Sequence, residues 1–128
     1  MEILLKSGAV LLLVSLLLAW LLVVVKYLGF FPKVIKNQKH LLSAHIDYIL
    51  MAILNWVVYH IVGPQGNEHM AHLIIVGSFL NPFLFLVMAV KPDIKKSTLS
   101  PFGVFSAISF TITTVGYSWA ALVVLGVI

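Results

Sequence analysis

The chain has 128 residues, 62% of them hydrophobic and only 9% charged, which excludes an ordinary water-soluble domain. Its eight basic residues are all lysine and outnumber four acids to give a net charge of +4; because they lie between apolar runs, they point to lipid head groups and topology, not to nucleic acid. The absence of cysteine excludes disulfides and thiolate chemistry, so any metal or cofactor must be held by nitrogen or oxygen, with five histidines as the nitrogen donors.

A helix needs about 20 residues to cross the hydrocarbon core, and four segments qualify. The first covers 8–31, a Leu/Val run with Lys26 placed to snorkel near its end; no small-residue cleavage site follows, so it reads as a retained anchor. The second covers 41–62 and stops at Gly63 and Pro64, and the third covers 70–90, ending at Lys91 and Pro92. The fourth begins at Pro101, a favoured first helical position, and continues to 128. The expected fold is all-α, a single four-span integral membrane bundle. Lys33, Lys36 and Lys39 fall in the first loop and Lys91, Lys95 and Lys96 in the third, while the second has no lysine. The positive-inside rule therefore places loops one and three in the cytoplasm and both termini outside, with Lys6 the one dissent.

Polar residues recur inside these spans at helical spacing. At about 100° per residue, His45, Tyr48, Ala52, Asn55 and Tyr59 fall in an arc of roughly 80° on the second span. Ser106, Ser109, Thr113 and Tyr117 do the same on the fourth, and the third adds Ser78 and Asn81 beside Phe85. Exposed to lipid, such groups would go unsatisfied, so the three stripes are expected to share one interior. On the fourth span the pattern reads as helix-packing glue. On the second, a histidine and an asparagine exceed what packing needs and point to function. Pro82, after Asn81, is expected to bend the third span and open space for a ligand or water, or simply to improve packing.

His45 heads the polar stripe and is the candidate axial ligand to haem iron, with a hydrogen bond to another helix as the plain alternative. His40 is expected among head groups. Glu68, His69 and His72, with His60 across a short loop, form a weaker zinc- or copper-type pattern, for which interfacial solvation is the commoner explanation. Asp47 points away from the stripe, toward a lysine such as Lys39 or a subunit contact.

The stretch LLSAHIDYILMAIL is similar to the second-span motif of the small four-helix membrane proteins that include hydroxylaminobenzene mutase and styrene oxide isomerase. GSFLNPFLFLVMAVKP resembles their third span, with Asn81 at a recurring asparagine, and SPFGVFSAISFTITTVGYSWAALVVLG resembles their fourth. The resemblance covers roughly residues 40 to 126. It implies a four-helix protomer assembled as a trimer, haem b bound near subunit interfaces through His45, and, in the styrene oxide isomerase branch, ferric haem acting as a Lewis acid that converts an epoxide to an aldehyde without net redox. Tyr48, Asn55, Asn81 and Tyr117 would line the pocket. The chain departs from the family pattern at three positions, carrying Phe85 for a tyrosine, Met51 for an asparagine and Gly77 for an aspartate.

The leading expectation is thus a haem b membrane protein resembling this superfamily, an isomerase acting on a small apolar epoxide or hydroxylamine-type substrate. Phe85 and Met51 favour a second reading, a non-catalytic subunit packed in a larger membrane complex. A third, transmembrane electron transfer, needs a second haem ligand near the opposite face, at His60, His69 or His72, and lacks paired histidine spacing on two helices.

Overall fold

A computed structural model describes residues 2–29, 35–94 and 100–127. It contains four long helices, α1 (Glu2–Tyr27), α2 (Gln38–Val62), α3 (Glu68–Val90) and α4 (Pro101–Val124), with a single 3₁₀ turn (Gly63–Gln65) between α2 and α3. All four are long and apolar enough to cross a membrane. Lys33, Lys95, Lys96 and the tail of the expected first span, 30–31, lie outside the described residues, as does residue 128.

Helix starts fall earlier than hydropathy alone suggests because capping, not apolarity, sets them. Asn37 accepts a hydrogen bond from the His40 N–H at 3.2 Å, and Asn67 accepts one from the His69 N–H at 2.7 Å. Each satisfies an otherwise orphaned first-turn donor, so polar first turns precede the apolar runs of α2 and α3. Ser100 caps α4 in the same way, accepting from the Gly103 N–H at 3.1 Å. α1 begins at Glu2, six residues before the expected span, and carries Lys6 within the helix. At the other end α4 stops at Val124, where Gly126 takes a φ of 78° and the Val127 N–H returns to the Leu122 carbonyl at 3.1 Å. That left-handed glycine closes the helix as in a Schellman motif.

Neighbours in sequence are neighbours in space: α1 packs on α2, α2 on α3 and α3 on α4. α1 buries Leu4, Ser7, Leu11, Ser15 and Leu18, a stripe spaced by three and four residues, and turns residues such as Leu17 and Trp20, each 70% exposed, outward as a lipid-compatible face. Gly8 lets the α1 backbone lie against the Trp56 ring, whose Nε1–H donates to the Leu5 carbonyl at 3.0 Å. Between α3 and α4, a Cβ on Gly77 would lie 2.9 Å from the Thr113 Cα, and one on Gly116 would lie 2.9 Å from the Ile74 backbone nitrogen. Small residues thus set the closeness of that pair, as is common where helices meet in lipid. α3 is helical without interruption through the fully buried Pro82.

The two ends of the bundle differ. At the end formed by the start of α1, the end of α2, the start of α3 and the end of α4, Leu4, Val58, Val62, Ile74, Ala120 and Val123 share one core that draws on all four helices. The core of the other end, around Leu11, Leu18, Ala44, Tyr48 and Ala89, contains no residue of α4. There the Ala89 carbonyl accepts from both the Lys36 and Asn37 N–H groups, at 2.9 and 3.0 Å, tying the start of α2 to α3 while α4 stands off.

Candidate functional site

Part of the expected shared interior forms, around Asn55, Ser78 and Tyr117, and it reaches α1 as well, whereas His45 turns away toward α1 alone. Asn55, fully buried on α2, donates from Nδ2 to Ser7 Oγ on α1 at 3.0 Å. Its Oδ1 faces two hydroxyls, Ser78 on α3 at 3.0 Å and Tyr117 on α4 at 3.1 Å, which themselves lie 3.1 Å apart. Ser7 and Ser78 also reach their own-helix carbonyls, Leu4 at 2.9 Å and Ile74 at 2.7 Å. Donor and acceptor capacities therefore match: the amide nitrogen meets an oxygen able to accept, and the amide oxygen meets hydroxyls able to donate. One asparagine joins side chains from all four helices.

A second cluster links α3 to α4. Asn81 Nδ2 donates to Thr113 Oγ1 at 3.0 Å, Ser109 donates to Asn81 Oδ1, and Thr113 donates back to the Ser109 carbonyl at 2.8 Å. Tyr48 donates to the Phe79 carbonyl at 3.3 Å. Among the described residues, no buried side-chain nitrogen or oxygen lacks a partner.

Where α4 stands off, a half-open groove of about 460 Å³ lies between α2, α3 and α4. Asp47 and Met51 wall it from α2, Asn81 and Phe85 from α3, and Phe102 and Phe110 from α4. Of the four residues expected to line a pocket together, Asn81 lies on this groove; Tyr48, Asn55 and Tyr117 have their polar atoms engaged in the helix-to-helix bonds above. The three departures from the family pattern gain a structural context. Met51 and Phe85 both face the groove and make it more apolar, while Met51 Sδ also lies 3.7 Å from the Tyr117 hydroxyl. Gly77 sits where Thr113 occupies the space of any side chain, so an aspartate there would collide with α4.

His45 sits on the opposite, α1-facing edge of the α2 stripe, half-buried. Its Nδ1 lies 2.7 Å from the Ser15 carbonyl oxygen and 3.1 Å from Ser15 Oγ. A carbonyl only accepts, so in a neutral ring this contact calls for the proton on Nδ1, with the lone pair on Nε2. That is the tautomer of an imidazole prepared to bind a metal through Nε2, with the second nitrogen oriented by a backbone carbonyl. The donor type is one that haem iron accepts. The same bond also satisfies the plain alternative, an inter-helix clamp.

The remaining candidates separate. His40 stacks on Phe85 with ring centroids 6.4 Å apart, so it lies against a groove residue. His60 makes an edge contact with Tyr59 at 5.3 Å. Among the described residues no three His, Asp or Glu side chains come together as a metal site, and Glu68, His69 and His72 do not converge. Asp47 lines the groove and makes no hydrogen bond or ion pair with a described residue, Lys39 included.

Ser7 and Ser15 are the functional-looking contacts that sequence reasoning missed. Their signal was present: they interrupt a Leu/Val run on the Leu4, Leu11 and Leu18 stripe, where small polar residues mark a helix contact. No family model, curated protein or solved structure matches the chain.

Proposed function

We propose that this protein is a haem b-binding integral membrane protein, with His45 as the iron ligand and the α2–α3–α4 groove as the site of a small, largely apolar molecule arriving from the bilayer. The observation that carries the reading is the Nδ1–H bond of His45 to the Ser15 carbonyl at 2.7 Å, which leaves Nε2 free to ligate. Bound haem would supply a Lewis-acidic iron able to polarise an electron-rich oxygen, the chemistry of an intramolecular isomerase.

The chain's own residues have distinct parts in this reading. Ser15 orients the imidazole, Phe85, Phe102 and Phe110 make the groove largely apolar, and Asn81, held by α4, fixes its wall. His45 and the groove occupy opposite edges of α2, so a site that uses both needs the His45 face of one copy against the groove of another. This geometry supports a homo-oligomer, for which a trimer is the family-like form. Lys36, Lys39 and Lys91 lie at the groove end, which supports placing that end in the cytoplasmic leaflet and both termini outside.

Met51 and Phe85 on the groove support a second reading, a non-catalytic subunit of a larger membrane complex that keeps the scaffold without the polar groups of the isomerase branch. A visible spectrum of protein purified in mild detergent after haem-sufficient expression separates the two. A Soret band in the native chain that disappears in His45→Ala is expected. A colourless protein that co-purifies with fixed stoichiometric partners, and gains no band on adding haemin, would replace the first reading with the second.

A further inference from the structure

Among the described residues, the groove contains one polar group with no hydrogen-bond or ion-pair partner, the carboxylate of Asp47. It lies about 14 Å along α2 from Gln38, well inside the spanning segment, at the rise of an α-helix. Carboxylates at such depth are costly and rare unless a cation or a proton compensates them. Asp47 makes no ion pair or hydrogen bond with a described residue. The other polar groups of the groove are already engaged: Ser106 donates to the Phe102 carbonyl at 2.8 Å, and both ends of the Asn81 amide are held by α4. The same groove is lined by Phe85, Phe102 and Phe110, aromatic rings of the kind whose faces attract positive charge, and by Met51 and Met88, whose flexible thioethers adapt to an irregular apolar body.

We propose that the groove binds a lipophilic organic monocation, an amine or onium group on an aryl or alkyl body, with its charge against Asp47 and its body against the phenylalanines. Charge complementarity favours this occupant over a neutral acyl chain, which would offer the Asp47 carboxylate no counter-charge. The cavity volume is that of a drug-sized molecule. The inference rests on the groove being the ligand site of the reading above, but not on haem at His45.

The test is equilibrium dialysis of the full chain in a mild non-ionic detergent, against tetraphenylphosphonium and against its same-shaped anion, tetraphenylborate, with detergent-only blanks. Saturable binding of the cation, with the anion at least about tenfold weaker, is expected, as is a loss of about tenfold or more in cation affinity in Asp47→Asn. Asp47→Glu should retain the preference for cation over anion. The same cation preference in a native chain that shows no Soret band would leave this proposal standing where the haem reading fails. Equal affinity for the two ions, or native affinity in a folded Asp47→Asn, overturns the proposal. Should Asp47→Asn fail to fold, the cation-to-anion ratio of the native chain decides.

Discussion

The two ends of this bundle use the same kinds of residue to opposite effect. At the closed end, Asn55 is surrounded by Ser7, Ser78 and Tyr117, and each donor finds an acceptor on another helix or on its own backbone. At the open end, α4 stands away from α2, and Asp47 faces a phenylalanine-lined groove without a partner among the described residues. Polarity in a membrane span therefore does not by itself announce a functional site. What separates the two is whether hydrogen-bonding capacity is saturated among the described residues: a saturated network fastens helices, and a group outside such a network is open to another role.

Substitutions that crowd or unpair the bonded interior should cost stability, and removing the Asp47 charge at the open end should not. The largest effect is expected for Gly77→Val, because Thr113 already fills the side-chain space; overpacking of this kind costs about 1–3 kcal/mol, and here should sit at the top of that range. Detergent-denaturant titration followed by circular dichroism measures it. Asn55→Ala should cost about 1–2 kcal/mol by the same assay, less than three separate bonds suggest, since Ser7 and Ser78 keep their own-helix carbonyls. Gly8→Ala should cost about 1 kcal/mol, because its obstacle is the Trp56 side chain, which can shift, and not backbone. A blue-shifted or broadened Trp56 emission would register that movement.

The smallest effect sharpens the contrast most. Asp47→Asn removes a charge that no described residue compensates, so its stability should remain within about 0.5 kcal/mol of native or rise. A loss comparable to Asn55→Ala would mean that Asp47 belongs to the packing after all, and the distinction between the ends would fail.

Much of this was legible in the sequence, for reasons that are local. Twenty or so apolar residues in a row demand a backbone that satisfies its own hydrogen bonds, so four helices follow from the residues of each span alone. Helical periodicity was enough to group Asn55 with Tyr48 and to place Ser109, Thr113 and Tyr117 on one face of α4. The helix starts were harder, because Asn37 and Asn67 extend α2 and α3 into polar turns that hydropathy assigns to loops. Asp47 was harder still. Its angle on α2 showed that it left the main stripe, but only the stand-off of α4 turned that direction into the wall of a groove.

By itself the sequence determined the spans and the set of polar residues that lipid cannot accommodate, since each depends on neighbours within a few residues along one helix. Which of those residues answer one another was decided only by tertiary structure. His45 and Asp47 are two positions apart on α2 and so nearly opposite in direction: one meets the Ser15 carbonyl of α1 and the other opens onto α4. A hydrogen bond depends on where the second helix lies, and packing sets that position through small residues such as Gly77 and Gly116, whose meaning is visible only once the backbone they admit is in place.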